Sequence, residues 1–230
     1  MTPHPLLEAL LAAADGRFPN ADGRVSVVPP LARGFEASFG FTAHAFVATA
    51  LAPDVVHAQG VDALGGCLAP RFLSWLAGSD GHIGSLDATL VGRGQGDGGS
   101  LCRLPQRFDL DEHPRVRHAR WLRSEVAVFG DERGLVTLSE GLAGRRELSV
   151  EVPEALQGRG VGRALIGEAL GLVPRGEPVF AAVAPGNARS LRAFLALGFV
   201  PIGCEVVIDP RRAAPVWPRR SNRTGLAAPV

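Results

Sequence analysis

The stretch that most constrains this chain is the glycine-rich sequence QGRGVGRAL, which occupies residues 157–165. Three alternating glycines let the backbone curl so that several N–H groups face one point, and the apolar residues that follow predict a helix. A helix N-terminus at such a loop attracts anions, because its first N–H groups lack partners and its dipole is positive there. The stretch therefore predicts an anion site, with a simple packing turn between strand and helix as the alternative.

Two common phosphate-binding motifs do not fit this loop. The dinucleotide fingerprint requires G-x-G-x-x-G, whereas the glycines here alternate with single residues and end at Gly162. The P-loop requires a lysine, and the chain contains none, so all its basic side chains except histidine are arginines. What remains is the pattern Q-x-x-G-x-G, which begins at Gln157.

A second stretch, NARSLRAFLALGF, spans residues 187–199. Asn187 is a good N-cap for a helix, and Gly198 is a good residue to follow its C-terminus. Between the two stretches there is room for one helix, about Gly160 to Leu172, and one short apolar strand, Val179 to Val183. An ordinary βαβα unit with a capped helix is the alternative explanation.

Together the two stretches resemble the signatures of the GNAT N-acyltransferase superfamily. The first is similar to its acetyl-CoA pyrophosphate loop. The second has an Asn that opens a helix, a small residue at Ser190 and a closing Leu-Gly-Phe at residues 197–199. The resemblance extends over about Ser124 to Ile208 and is faint before that. It implies an α/β fold with a mixed, mostly antiparallel sheet flanked by helices, in which the strands at Arg145 to Val152 and Val179 to Val183 splay apart.

The resemblance also implies that acetyl-CoA is the co-substrate and that it binds in the gap between the splayed strands. The pantetheine arm would add to the strand edge at Val150 and Val152, as peptides do in β-augmentation. The pyrophosphate would reach the N–H groups of the loop, with charge-assisted bonds from Arg159 and Arg163 unless these are merely solvated. The residues expected to bind acyl-CoA are Val150, Val152, Gln157, Gly158, Arg159, Gly160, Val161, Gly162, Arg163, Asn187, Ser190 and Phe194.

In such enzymes an amine attacks the thioester directly, so the protein must take up a proton from the amine and return one to the thiolate. We expect Glu147 or Glu151 to act as the general base, directly or through water. The alternative is that both lie on a solvated sheet face and pair with Arg145 or Arg146.

The acid is where the chain departs from the family pattern. The position usually held by tyrosine is Phe194, and the chain contains no tyrosine. The proton for the leaving thiolate must then come from water, Ser190, Cys204 or the substrate. The alternative is that turnover is lost and that the protein is a CoA-binding sensor or a module that holds CoA as a structural ligand. A scaffold that does not bind CoA is a third hypothesis.

Composition limits the other function classes. The net charge of +1 and pI of about 7.9 give no strong positive potential that would attract nucleic acid. No apolar run approaches the ~20 residues that a membrane span needs. Three widely spaced cysteines without a CxxC pair favour reduced thiols in a cytoplasm. The histidines show no metal-binding spacing, so we expect no metal. We expect a monomer or homodimer.

We expect a single domain over residues 1–208, with a recognisable part at 124–208, an atypical part at 1–112, and an extended or disordered tail at 209–230. Hydrophobic periodicity and turn residues predict the remaining elements. The predicted helices are one begun by Pro5, Asp62 to Leu76 and Pro114 to Trp121. The predicted strands are Val25 to Val28, a bent strand or hairpin at Gly40 within Phe35 to Leu51, Ser85 to Val91, Ser124 to Phe129, Leu135 to Ser139, Arg145 to Val152 and Phe199 to Ile208; residues 92–100 are predicted as a loop.

The C-terminus is one strand short of the family pattern. After Phe199 to Ile208 the sequence is too rich in proline and arginine to pair inside a sheet. Val25 to Val28 and Phe35 to Leu51 are apolar and β-prone, so we predict that one of them takes the missing strand's place or packs against it. This makes the atypical N-terminal part belong to the same fold.

Overall fold

A computed structural model describes residues 2–96 and 104–211 of the chain. In these residues the helices are α1 (Pro5–Ala14), α2 (Pro53–His57), α3 (Pro70–Ala77), α4 (Pro114–Leu122), α5 (Val161–Leu170) and α6 (Ala188–Leu195). The strands are β1 (Val25–Val28), β2 (Glu36–Phe41), β3 (His44–Ala48), β4 (His82–Ile83), β5 (Asp87–Arg93), β6 (Ser124–Asp131), β7 (Gly134–Glu140), β8 (Arg146–Glu151), β9 (Pro178–Val183) and β10 (Val200–Asp209). None of the helices in these ranges is long and apolar enough to cross a bilayer.

The strands form one continuous sheet in the order β1-β3-β2-β10-β5-β9-β8-β7-β6, and β4 pairs with the end of β10. Among these strands the parallel pairs are β1 with β3 and β8 with β9, and the other pairs are antiparallel. The predicted α/β fold, a mixed and mostly antiparallel sheet flanked by helices, is confirmed.

Helices pack on both faces of this sheet because alternate residues of its central strands point to opposite sides. On one face Leu165 and Ile166 of α5 and Phe194 of α6 pack with Leu148 and Val179. On the other face Leu6 and Leu10 of α1 belong to a separate cluster with Phe39, Val91 and Phe180. The region from β6 to β10 follows the predicted order of elements, with ends that differ by a few residues.

Two local predictions need correction. The predicted hairpin within Phe35 to Leu51 exists as β2 and β3, but it turns after Phe41 rather than at Gly40. Gly40 lies inside β2, where a Cβ atom would come within 3.3 Å of Leu68 Cδ1, so glycine there serves close packing. The predicted helix Asp62 to Leu76 is broken because Pro70 disfavours helical geometry at Ala69, which is extended at ψ 138°, and α3 starts only at Pro70.

The last strand is flanked on both sides by strands from the N-terminal part. β2, from the predicted stretch Phe35 to Leu51, pairs along one edge of β10. The place between β9 and β10 is taken by β5 (Asp87–Arg93), which is neither of the two candidates. β1 lies at the edge of the sheet, where the following prolines remove no ladder bond.

Some predictions fall on residues outside the described ranges. Of the predicted loop at 92–100, Gly92 and Arg93 belong to β5, residues 94–96 are irregular apart from an isolated bridge at Gly96, and 97–100 lie outside. Cys102 and residues 212–230 of the predicted tail lie outside as well, while β10 continues through Asp209. The domain limits of 1–208 stay a prediction.

The sheet pairing predicts the effect of removing the N-terminal part. A chain that starts at Glu112 lacks β2 and β5, so both edges of β10 lose their partners and half of the core is exposed. We expect it to be insoluble, or to lack a cooperative thermal transition and near-ultraviolet circular dichroism. A cooperative thermal transition of the shortened chain would show instead that residues 1–111 form a separate domain.

Candidate functional site

The candidate site is the gap between β8 and β9, two parallel neighbours that separate along their length. They pair at a single register position, Glu147 with Phe180. On its other side β8 stays paired with β7 as far as Glu151. Beyond Glu147, the edge of β8 that faces β9 therefore offers backbone groups to whatever enters the gap.

A cavity of about 350 Å³ occupies this opening, and we call it the gap cavity. Its walls come from both faces of the sheet. Val150 of β8, Val183 of β9, and Ser190 and Phe194 of α6 line one side, while Ser149 of β8 points to the other. The walls on the face covered by α4 include Phe35, His82, Asp87, His118, Trp121 and Arg123.

The glycine-rich loop lies at the start of α5. Gly160 takes a left-handed conformation (φ 80°), and no side chain caps this helix in the part of the chain that the structure describes. A Cβ atom at Gly158 or Gly160 would meet nothing within 4 Å, so the loop backbone is open to a ligand. Arg159 and Arg163 are exposed beside it. The helix end thus presents unpaired N–H groups and two guanidinium groups in one place.

Gln157 has a structural role that the sequence does not reveal. Its Nε2 donates to the Val152 carbonyl at 3.1 Å, and its Oε1 accepts from Arg189 Nη1 at 2.9 Å. The side chain thereby ties the segment after β8 to the first turn of α6. Gln157 holds the loop in place while the backbone of residues 158–163 remains available.

The second stretch forms the predicted capped helix. Asn187 Oδ1 accepts from the Ser190 N–H at 3.1 Å, and Gly198 has φ 83° just after the helix. Phe194 is buried, with its ring edge-to-face against Phe199 at 4.9 Å, and also contributes to the cavity wall. Ser190 is half-buried in the same wall.

Cys204, the other candidate proton donor, lies elsewhere. Its thiol sits on β10 with Sγ 3.9 Å from the Gly40 carbonyl oxygen, and the gap cavity is lined by other residues. Burial, helped by nearby Glu205, raises the pKa of this thiol. Of the two side chains considered as acids, only Ser190 reaches the cavity.

Glu147 is buried in a set of ion pairs. Its Oε2 accepts from Arg145 Nε and Nη2 at 3.1 and 2.9 Å, and its Oε1 lies 2.5 Å from Arg123 Nη2. Burial favours a higher pKa, but Arg123 and then Arg145 outweigh it, so the pKa of Glu147 is lowered. A base with a lowered pKa and both oxygens engaged is poorly suited to accept a proton near neutral pH. The alternative is right about the pairing with Arg145 but wrong about solvation, because Glu147 and its ion pairs are buried.

Arg145 joins this carboxylate to a second one. Its Nη1 and Nη2 donate to Glu205 at 2.6 and 2.8 Å, and Thr89 Oγ1 donates to Glu205 Oε2 at 2.5 Å. The guanidinium is fully buried and stands 5.5 Å from the centre of the Phe180 ring. We call Arg123, Arg145, Glu147, Glu205 and Thr89 the buried ion network.

Glu151, the other predicted base, lies at the end of β8 and is partly exposed. Arg115 Nε donates to its Oε2 at 3.0 Å, and His113 Nε2 is 3.8 Å from its Oε1. Arg115 lines the gap cavity, so Glu151 reaches the cavity through this arginine. Glu151 is not among the residues that line the gap cavity. Its role as a general base that acts through water stays a prediction.

Asp87 is a site residue that sequence reasoning missed. It begins β5, lines the gap cavity, and accepts from Ser85 Oγ at 3.0 Å on both oxygens. Burial raises the pKa of Asp87; the Ser85 bond opposes this, the nearby carboxylates of Glu205 and Glu147 add to the rise, and the Arg123 guanidinium opposes it from a distance. Within the described ranges it makes no ion pair. The only signal in the sequence was an acidic residue at the start of a predicted strand.

His118 also lines the gap cavity. Burial lowers the pKa of its imidazole, and the positive charges of Arg123 and Arg115 lower it further, so the ring is neutral at physiological pH. Among the residues that the structure covers, no cluster of three or more His, Cys, Asp or Glu side chains is arranged to hold a metal ion.

The buried ion network predicts a specific loss of stability. Arg145→Met leaves two buried carboxylates without their shared partner, so we expect the free energy of unfolding to fall by about 3–5 kcal/mol. Arg146→Met is the matched control, because this neighbour forms a half-exposed pair with Glu177 at 2.8 Å and should cost less than about 1 kcal/mol. Urea denaturation measures both. An Arg145→Met protein as stable as the Arg146→Met protein would contradict the assigned pairing.

Comparison with known proteins gives a structural likeness only. No protein-family model matches the chain, and no curated protein is significantly similar to it. Similar solved structures include a GNAT-family protein of Novosphingobium aromaticivorans assigned as an acetyltransferase, at 16% identity and a TM-score of 0.41, over 57% of this chain and 68% of that one. They also include a conserved protein of unknown function from Staphylococcus epidermidis, at 14% and 0.39 over 61% of this chain and 66% of that one. A GCN5-related N-acetyltransferase from Kribbella flavida matches at 13% and 0.37 over 58% of this chain and 61% of that one.

Proposed function

We propose that this protein is an acyl-CoA-dependent N-acyltransferase that transfers acetyl from acetyl-CoA to an amine by direct attack. The observation that carries the proposal is the pair of parallel strands, β8 and β9, which separate at a cavity after Glu147. The uncapped, glycine-rich start of α5 supplies an anion site close to the same gap.

The gap and the loop suit two different parts of acyl-CoA. The amide-rich pantetheine arm would pair with the free edge of β8 at Val150 and Val152. The pyrophosphate oxygens would accept hydrogen bonds from the N–H groups of residues 158–163, and Arg159 and Arg163 would add positive charge beside them. Ser190 and Phe194 would then flank the thioester end, because both line the gap cavity.

The reaction forms a C–N bond and breaks the thioester C–S bond. The attacking nitrogen must lose a proton and the leaving thiolate must gain one. Asp87 suits the base role better than Glu147, because it lines the cavity without a cation partner in the described residues and its pKa is raised. Glu151 would act only through water. The proton for the thiolate would come from water or from Ser190, since Phe194 has no hydroxyl.

A CoA-binding module without turnover is the second candidate. The observation that favours it is Phe194, whose ring fills the wall where an acidic hydroxyl is wanted. Both candidates require CoA binding and differ in what happens to the thioester. Transfer to an amine or slow hydrolysis supports the enzyme, and tight binding with an intact thioester supports the module.

The loop predicts how CoA binding responds to a new charge. Gly160→Asp places a carboxylate beside the pyrophosphate, which costs about 4 kcal/mol at 4 Å with an effective dielectric constant of 20 and lowers affinity by roughly a thousandfold. Gly176→Asp is the matched control, because Gly176 has nearly the same backbone geometry (φ 82° against 80°) and equally open surroundings. Isothermal titration with acetyl-CoA measures both. Absence of wild-type binding at high micromolar concentration would exclude the proposal, and unchanged binding by Gly160→Asp would reduce the loop to a packing turn.

We expect a substitution of Phe194, in the wall of the gap cavity, to raise the activity. Phe194→Tyr adds a hydroxyl where the ring meets the cavity, so turnover should rise by up to roughly 10²-fold if the thiolate lacks an acid. The affinity for acetyl-CoA, measured by titration, should stay within a fewfold of wild type. An unchanged rate across the whole pH range would indicate that water already supplies the proton.

A further inference from the structure

A second cavity, of about 370 Å³, lies against the gap cavity on the face of the sheet covered by α4. We call it the distal cavity. It shares with the gap cavity the residues Phe35, Asp87, Leu122, Arg123, Ala182 and Val207. A molecule in the distal cavity can therefore reach the opening between β8 and β9 from the side opposite to α5 and α6.

Two tight turns form the outer walls of the distal cavity. They are residues Ala32–Gly34 and Leu142–Gly144, and each contains a non-glycine residue in the left-handed region, Arg33 at φ 62° and Ala143 at φ 57°. Such conformations cost energy and persist only where the surrounding structure enforces them, and they cluster at ligand sites. The second turn follows Gly141, which is packed so closely on the Glu147 carboxylate that a Cβ atom would overlap it. The buried ion network thus fixes the shape of this wall.

The charges around the distal cavity leave one carboxylate uncompensated. Two arginines, Arg33 and Arg123, line the cavity together with four carboxylates, those of Asp87, Glu140, Glu147 and Glu205, and the buried Arg145 binds the last two from behind the wall. Glu147 and Glu205 are engaged by the buried ion network, whereas Arg33 and Glu140 are exposed at the rim, where water and salt screen their charges. Asp87, at the boundary of the two cavities, carries the remaining negative charge and has only Ser85 as a hydrogen-bond donor among the described contacts.

The rest of the wall is largely apolar. Leu31, Phe35, Leu122 and Leu142 line it, and the Phe35 ring stands edge-to-face on Trp121 at 5.3 Å. By volume the cavity holds roughly a dozen water-sized groups. A small molecule with one cationic end and an aryl or alkyl body matches this combination of one free carboxylate and an apolar wall.

We propose that the acceptor is a primary monoamine with an apolar body, bound through its ammonium group to Asp87 with the body in the distal cavity. This rests on the proposed function and adds the class of acceptor to it. An amino acid carries its carboxylate one carbon from the ammonium and would place it beside Asp87, which has no ion-pair partner among the described residues. A polyamine would bring further cations close to Arg33 and Arg123.

The test is binding of amines by isothermal titration, with and without saturating CoA, which lacks the acyl group and so excludes turnover. We expect phenethylamine to bind and Asp87→Asn to weaken it at least tenfold, because a charged hydrogen bond is lost while the amide still accepts from Ser85. Asp80→Asn is the matched control, since Asp80 is an exposed aspartate that also accepts from a neighbouring serine, Ser79. It should leave the affinity unchanged. The neutral alcohol 2-phenylethanol should bind equally to the wild type and to Asp87→Asn.

The outcomes separate this proposal from the previous one. Equal affinity of Asp87→Asn and wild type for phenethylamine, or tighter binding of phenylalanine or spermidine, would overturn the acceptor class. CoA binding without amine binding would overturn it too and would leave the proposed function standing. Amine binding that depends on Asp87 in a protein that does not bind CoA would support the ammonium site and refute the acyltransferase.

Discussion

The rest of the structure depends on the fully buried guanidinium of Arg145, which holds two carboxylates, Glu147 and Glu205, in the centre of the sheet. Buried charges are costly unless they are paired and hydrogen-bonded, so this arrangement is stable only when its partners arrive in the correct register. Those partners lie on β5, β8, β10 and just after α4. The network therefore commits segments from distant parts of the chain to one alignment.

The position of the network also explains where the sheet opens. Glu147 is the residue at which β8 and β9 make their register contact, and the strands separate beyond it. Arg123 binds the other oxygen of Glu147 and lines both cavities. The network thus places paired charges at the closed end of the gap, while Asp87, at the boundary of the two cavities, makes no ion pair with any described residue.

Sequence was informative where local rules decide the structure. The Asn187 cap, the left-handed Gly160 and Gly198, and the hairpin of β6 and β7 follow from turn and cap chemistry within a few residues. Alternation along β8 correctly placed Glu147, Ser149 and Glu151 on one face. Alternation could not show that Glu147 is buried while Glu151 stays half-exposed. Glu147 is covered by Arg123 and by the turn at Leu142–Gly144, and these contacts join different elements.

The position of Asp87 beside both cavities could not be predicted from the sequence for the same reason. Its significance arises from β5 lying between β9 and β10, and the strand that fills this place comes from more than a hundred residues upstream of β10. A similar case is Gly92 of β5, where a Cβ atom would come within 2.7 Å of the Phe199 ring. The space for the closing phenylalanine of the second stretch is thus provided by a glycine that no local pattern connects to it.

The insertion of β10 between β2 and β5 has a consequence for synthesis of the protein on the ribosome. Gly40 and its neighbour Cys204 are separated by 164 residues, so at 5–20 residues per second β2 waits roughly 8–33 s for its partner to emerge. β2 lacks β10 along one edge throughout that interval, and β5, once it has been made, waits for β9 along one edge and for β10 along the other. Completion of the sheet is therefore a late event in the synthesis of each molecule, and strand edges that wait for β10 are exposed to edge-to-edge association until it has been translated.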